Sequence, residues 1–371
     1  MMASSGGADA HHDRGGLEWA ARGHAAAQRL LRYPQALGVA RATRVGVTPH
    51  DVVRTSGTHR LMRYRRTTPA RFAEPVLLCY ALVNRPYILD LQAGKSVVQR
   101  YLERGFDVYL IDWGVPSPDD RRLTLEHYVG FLEECIRAIL SRTRRPSLHL
   151  IGYCMGGTMS ALLGATHPEL ARTLTLLAAP IDFSGRESLL NVWAARENFD
   201  VDAFVDTHGN APAWFLQACF QGLKPVQNVV QKNISFWENI EDARFLEGFF
   251  AMERWVNDNV PVAGETFREF VKALYQDNQL VRGEFRLGDR PVDLGQLHCP
   301  LLLLAAKADH LVPPPSTAGI LPYVRSQDVE SVLVDVGHVG LVVSSKAHRT
   351  VWPAATQWLA DRSTEATEAH P

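Results

Sequence analysis

Four short segments between Pro75 and Pro180 are apolar on both faces: PVLLCYAL (75–82), DVYLIDW (107–113), LHLIGYC (148–154) and TLTLLAAP (173–180). Helical stretches separate them. SVVQRYLERG is closed by Gly105, TLEHYVGFLEECIRAILSRT is amphipathic with Thr124 at its N-cap position, and GGTMSALLGATH follows the third strand. A strand that alternates polar and apolar residues can face water on one side; these strands do not alternate. The alternation of such strands with helices therefore predicts an α/β fold, with a mostly parallel sheet covered by helices on both faces.

The rhythm stops near Asp182. Residues 184–285 show no strand pattern and are rich in aromatics, among them Trp193, Phe199, Phe204, Trp214, Phe215, Phe267 and Tyr275. This reads as a helical insertion. Strands resume at CPLLLLAAKAD (299–309) and ESVLVDVGH (330–338), with a terminal helix around AATQWLADR and a frayed tail from Ser363. Ahead of the first core strand, HRLMRYRR reads as a strand. LEWAARGHAAAQRLLRYPQAL reads as a helix with Leu17, Ala20, Ala21, Leu30 and Leu31 on one side, ended by Pro34. Residues 1–16 have no periodicity and are expected to be disordered. The chain thus divides into a basic, partly disordered segment with a helix (1–60), a catalytic core (61–183 and 286–371) and a helical lid or cap (184–285).

With 371 residues, 46% of them hydrophobic, the chain can bury one large core. A net charge of −1 argues against a globally nucleic-acid-binding protein. The charge is uneven: residues 1–71 hold twelve Arg, no Lys and four acids, a net +8, so the remainder carries −9. We read this as a solvated helix face plus a flexible leader; an arm for an anionic surface is the functional alternative. The five cysteines (Cys79, Cys135, Cys154, Cys219, Cys299) include no CxxC pair, which excludes a zinc ribbon or a disulfide framework and suits a reducing cytoplasm. No apolar run approaches the roughly 20 residues of a spanning helix, and the first 16 residues lack the apolar stretch of a secretory signal.

The third strand runs into Gly152-Tyr153-Cys154-Met155-Gly156 and then a helix. A G-x-nucleophile-x-G turn between strand and helix is a nucleophile elbow. The two glycines let strand and helix approach closely. The helix N-terminus places positive partial charge beside the nucleophile, which favours a thiolate. The Met155 amide is then half of an oxyanion hole. The bland alternative, a buried cysteine in a glycine-rich turn, loses weight because the flanking strand and helix are both present. A cysteine nucleophile needs a base, and the base an orienting group. In an α/β-hydrolase fold the chain order is nucleophile, acid, histidine. LLLLAAKADHLVPP ends a strand at Asp309, and VLVDVGHVGLV ends one at His338. Either alone reads better as a capping aspartate or a solvated loop histidine; together, in order, they complete a Cys154-Asp309-His338 set. His310 is a secondary candidate, more often a structural neighbour. The second oxyanion amide is expected from the turn after the first core strand, YALVNRPYILDL, at Val83 or Asn84. Neither GxxxxGK[ST] nor GxGxxG is present, and the remaining histidines lack ligand spacing, so no metal or separate cofactor is expected.

Several segments together resemble the polyhydroxyalkanoate synthases, closest to the short catalytic subunits of the two-component (class III) type. They are YALVNRPYILDL, GFDVYLIDWG, LTLEHYV, GYCMGGT, APIDFSG, MERWVNDNVPVAGETFREFVKALYQDNQL, GEFRLGDRPVDL and ADHLVPP, spread from about Tyr80 to His338. Met155 stands where many of the short synthases carry Gln. The resemblance implies an α/β-hydrolase fold with a lid, a cysteine nucleophile matched by Cys154, and an aspartate and histidine matched by Asp309 and His338, with His310 matching the adjacent histidine. It implies (R)-3-hydroxyacyl-coenzyme A, short-chain, as substrate, with coenzyme A as part of the substrate and no cofactor. It further implies a growing polyester chain, a second synthase subunit, a homodimer or hetero-oligomer, and a cytoplasmic place at the surface of storage granules, neither transmembrane nor bound to nucleic acid.

The implied chemistry explains the sulfur. A Cys thiolate exchanges one thioester for another at nearly constant energy, so the acyl group stays activated; a serine would give a lower-energy oxygen ester. Two other readings keep the same residues in view: a hydrolase of this fold (a thioesterase or polyester depolymerase) and a catalytically silent granule protein. The cysteine argues against the first, and the complete Cys154, Asp309 and His338 set against the second.

Overall fold

The structure, a computed structural model, describes residues 29–366. Eight strands form one sheet: β1 (His50–Ser56), β2 (His59–Tyr64), β3 (Val76–Cys79), β4 (Val108–Asp112), β5 (Leu148–Tyr153), β6 (Ala171–Leu177), β7 (Leu301–Ala306) and β8 (Val329–Val334). Their order is β1-β2-β4-β3-β5-β6-β7-β8. The β1–β2 and β2–β4 pairs are antiparallel; every pair from β4 to β8 is parallel. β3, β4 and β5 are buried along their whole length, the reason their sequences do not alternate. β1 was not expected. It is a largely exposed edge strand, and its polar sequence HDVVRTS carries no core signal.

The first helix of the described chain, α1, covers residues 29–42 and passes through Pro34 instead of ending there. The part of the expectation that falls on Leu17 to Ala21, like the leader 1–16, lies outside the described residues. Proline removes one amide donor. Ala36, two residues on, is fully buried with Phe236, Ile240 and Leu246, and that packing offsets the missing bond.

Within the sheet's own unit, residues 45–224 and 255–366, α2 (Val97–Arg104) ends on Gly105 at φ 102°, as the sequence predicts. α3 (Leu125–Thr143) buries the face Leu125, Tyr128, Val129, Leu132, Ile136 and Ile139. α4 (Met155–Thr166) is apolar all round and buried from Gly156 to Ala165. It packs on β5, β6 and α3. Burying Met159, Leu162 and Leu163 stabilises it by about 1.5–3 kcal/mol each. That anchors the helix start, where Cys154 sits.

Residues 184–285 are helical, with α5 (Leu189–Ala194), α6 (Val201–His208), α7 (Ala213–Gly222), α8 (Lys232–Glu238), α9 (Ala243–Asn257) and α10 (Gly264–Glu269). α10 continues as a π-helical turn over Phe270–Gln276. Apart from a single bridge between Ala211 and Val262, no β pairing occurs there among the described residues. Residues Pro225–Arg254 cluster with residues 29–44 as a second compact unit. It has its own apolar centre at Ala36, Phe236, Ile240 and Leu246, and Tyr33 stacks on Trp237 with centroids 5.9 Å apart. After β8 come α12 (Gly340–Val343) and α13 (Ser345–Ala360), so the terminal helix starts earlier than its sequence pattern and runs through Pro353. A short helix α11 (Pro314–Ala318) follows β7.

Candidate active site

Cys154 links β5 to α4. Its backbone is held at φ 55° and ψ −128°, the strained conformation expected of an elbow. Its amide donates to the Leu177 carbonyl at 3.0 Å, and its own carbonyl accepts from Gly157 at 2.8 Å, opening the helix. The glycines are steric necessities. A methyl on Gly156 would land on the carbonyls of Cys79 and Tyr80, and one on Gly152 would meet Gly157, Gly156 and the Ser160 hydroxyl. β3 and α4 therefore approach closely beside Cys154, which brings the turn carrying Val83 to the same place. Val83 and Met155 both line the cavity that Cys154 faces.

Asp309 lies three residues beyond β7 and His338 four beyond β8. Oδ1 of Asp309 accepts the amides of Leu311 and Val312 at 2.9 Å each, while Oδ2 lies 2.6 Å from Nδ1 of His338. The Asp309 side chain is 0% exposed and that of His338 10%. The imidazole is in turn hydrogen-bonded to Cys154. Burial disfavours its proton, but Asp309 and Cys154 outweigh burial and raise the His338 pKa to about 10. Carboxylate, imidazole and thiol thus form one connected line.

The other four cysteines are shifted upward by burial: Cys79 and Cys135 to about 12, Cys299 to about 11, and Cys219 in the same direction. Of the secondary candidates, Asn84 holds its turn at φ 59°, and its Oδ1 is buried without a hydrogen-bond partner among the described residues. His310 is exposed and does not line the cavity that Cys154 faces; its carbonyl accepts the Ser188 hydroxyl at 2.9 Å. Three tyrosines that the sequence did not mark as site residues stand around it. Tyr153 stacks on His338, Tyr80 lies behind Tyr153, and Tyr275 from the insertion borders the cavity. Burial, with Cys154 and Asp309 nearby, pushes the Tyr275 phenol up. Tyr153 had a sequence signal in its place inside the elbow, and Tyr275 in the aromatic-rich insertion.

The cavity facing Cys154 has a volume of about 160 Å³. Its walls are almost wholly apolar, with Phe215, Leu216, Phe267 and Val271 from the insertion lining it together with Val83 and Met155. Among the described residues no group of three or more His, Cys, Asp or Glu side chains is arranged to hold a metal ion. The chemistry this arrangement allows is nucleophilic acyl transfer through sulfur, with an imidazole base oriented by a carboxylate.

Residues 74–344 match the family model of the alpha/beta hydrolase fold. Residues 34–102 match that of the poly-beta-hydroxybutyrate polymerase (PhaC) N-terminus. A protein of Allochromatium vinosum named poly(3-hydroxyalkanoate) polymerase subunit PhaC is 38% identical over 345 residues, covering 90% of this chain and 97% of that one. The chain belongs to the poly(3-hydroxyalkanoate) polymerase family. It is an enzyme of that kind, a polyhydroxyalkanoate synthase. Polymerase subunits of the same name from Synechocystis (41% identical, 86% of each chain) and Haloferax mediterranei (42% identical, 88% of this chain and 67% of that one) are also similar. The match extends over 97% of the Allochromatium chain and 86% of the Synechocystis chain. Solved structures agree on the fold. A putative lipase from Sulfolobus solfataricus (TM-score 0.51, 14% identity, 84% of this chain and 93% of that one) is similar to it. So is the Paleococcus ferrophilus monoacylglycerol lipase (TM-score 0.50, 16% identity, 79% and 98%).

Proposed function

We propose that the synthase polymerises (R)-3-hydroxyacyl-coenzyme A, short-chain such as 3-hydroxybutyryl-CoA, through an acyl-cysteine thioester on Cys154. The observation that carries this reading is the unbroken line from Asp309 to His338 to Cys154 at the mouth of an apolar cavity. His338 accepts the thiol proton, and the thiolate attacks the acyl-CoA carbonyl. The amides of Met155 and Val83 receive the developing oxyanion. Coenzyme A leaves as its thiol, taking the proton back from His338. The hydroxyl of a second hydroxyacyl unit then attacks the enzyme thioester, with His338, oriented by Asp309, or Asp309 itself as base. The acyl group moves to oxygen, and Cys154 is released to accept the next unit.

Water competes with that hydroxyl. The apolar wall supplied by Phe215, Leu216 and Phe267 supports a lid role for the part of the insertion that carries them, which excludes water and faces the growing polyester. No helix among the described residues is long and apolar enough to cross a membrane. We place the enzyme in the cytoplasm at the surface of polyester granules, as a homodimer or hetero-oligomer with a second synthase subunit, on the likeness to the short synthases.

The test is an assay of pure protein with 3-hydroxybutyryl-CoA, with and without a candidate partner subunit, following free coenzyme A and product size together. Coenzyme A with polymer is the expected result. Coenzyme A with free acid would make the enzyme a thioesterase or depolymerase, and no release under either condition would make it a silent granule protein. Cys154→Ser is expected to lose polymer synthesis by at least about 100-fold. Full polymer synthesis by that variant would remove the argument for sulfur.

A further inference from the structure

Tyr153, the residue before the elbow cysteine, faces His338. The two rings are stacked, with centroids 5.0 Å apart and planes inclined by 25°. The phenol donates to the His338 carbonyl at 3.4 Å. Tyr153 is the last residue of β5 and is 3% exposed, so it has little freedom of its own. Tyr80 backs it at 5.7 Å, tilted by 43°. An imidazole tied through Nδ1 to one carboxylate can still swing about that bond. A flat, immobile ring against its face removes the swing on that side. An aromatic face also carries negative potential, which favours a cation stacked on it.

We propose that Tyr153 is a positioning residue that sets the plane of the His338 imidazole and favours its protonated form after the thiol proton has moved. The inference rests on the Cys154–His338–Asp309 reading above. The proton passes from Sγ of Cys154 to the imidazole and from there to the departing coenzyme A sulfur, so nothing else is required. The titratable groups facing the imidazole are the Asp309 carboxylate, the Cys154 thiol and the Tyr153 phenol. Tyr80 lies behind Tyr153, and Tyr275 lies near Cys154 and Asp309. Asp335, on the same loop as His338, is turned out to Lys346 at 3.1 Å, and His310 is exposed.

The test is the pH dependence of iodoacetamide alkylation at Cys154 in the full chain without substrate. The peptide carrying Cys154 is read by mass, so that the other thiols do not count. Tyr153→Leu is expected to move the midpoint up by about one pH unit, a roughly tenfold slower alkylation below it. Tyr153→Phe keeps the stack and restores the midpoint to within about 0.3 of a unit. Should the Leu variant fail to fold, Tyr153→Met fills the space with a flexible apolar chain and carries the same comparison. A folded Leu or Met variant with the wild-type midpoint overturns the proposal. His338→Gln separates the two readings. If it shifts the midpoint while Tyr153→Leu does not, Tyr153 alone is misassigned. If it shifts nothing, the whole line fails and this proposal with it.

Discussion

Oδ2 of Asp309 lies 2.6 Å from Nδ1 of His338, while Oδ1 of the same carboxylate holds the amides of Leu311 and Val312 at 2.9 Å each. One side chain therefore fixes both the imidazole and the turn that closes the cavity. Asp309→Asn separates the two tasks. The Asn oxygen can keep the loop amides, but its NH₂ then faces Nδ1 and selects the wrong tautomer. We expect coenzyme A release to fall about 10³–10⁴-fold with a near wild-type melting temperature. Asp309→Ala should lose stability as well, by about 1–3 kcal/mol, because two buried amides lose their acceptor. An Asn variant within tenfold of wild type would show that Asp309 does not orient the base.

The elbow makes a steric prediction. Gly156 packs directly under the Cys79 and Tyr80 carbonyls, both main-chain groups at the end of β3 that cannot rotate away. Gly156→Ala should destabilise by about 3 kcal/mol, the upper range for overpacking, and displace the Met155 amide. Chemical denaturation measures the first effect, and the rate of coenzyme A release the second. At Gly38, where an added Cβ meets nothing within 4 Å, the same substitution should be neutral or mildly stabilising, which controls for the general effect of alanine in a helix.

The contrast between these positions shows what a sequence can carry. The elbow is written in one continuous stretch, strand, Gly-x-Cys-x-Gly and helix, so Cys154 and Met155 were legible. Asp309 and His338 were legible because each follows a strand with a clear apolar pattern. The stack of Tyr153 on His338 was not, since 185 positions separate the two and nothing local marks the contact. β1 was missed because an exposed edge strand has no core face to display. The aromatics of the insertion were visible as a group. Phe215 and Phe267 border the cavity, while Phe236 and Phe249 belong to the other apolar cluster, and residue type does not distinguish them. Pro34 misled because a proline's cost is local and its compensation, the burial of Ala36, is tertiary.

A buried histidine away from the site governs acid stability. His149 on β5 is fully buried between the Thr173 and Ser363 hydroxyls, each at 2.9 Å, with its ring edge-on to Phe106. Burial lowers its pKa from 6.5 to about 3. Below the unfolded value the unfolded chain takes a proton that the folded chain refuses. Stability is therefore complete above pH 6.5 and is lost as the pH falls toward 3. The loss attributable to this group is about 2 kcal/mol at pH 5. His149→Gln, though less stable at neutral pH, should show a flatter decline from pH 7 to 5 in urea unfolding. An unchanged slope would assign the acid sensitivity elsewhere.

The cavity predicts how acyl length is set. Phe215 stands on α7 and lines the cavity that Cys154 and Met155 also line. It packs on Phe204, with centroids 4.5 Å apart, so its position is fixed by the insertion itself. Truncating it enlarges an apolar space and leaves the Cys154 line untouched. Each methylene that then gains burial is worth about 0.8 kcal/mol, close to fourfold in relative affinity. Phe215→Ala is therefore expected to raise kcat/KM for a six-carbon 3-hydroxyacyl-CoA, two methylenes longer, relative to the four-carbon substrate by about fifteenfold. The change should lie mainly in KM, and the variant should lose about 3 kcal/mol of stability from the cavity it opens. Competition between the two substrates, read from monomer composition of the product, gives the ratio directly. A composition identical to wild type from a folded variant would mean that the acyl group does not enter between Phe215 and Met155.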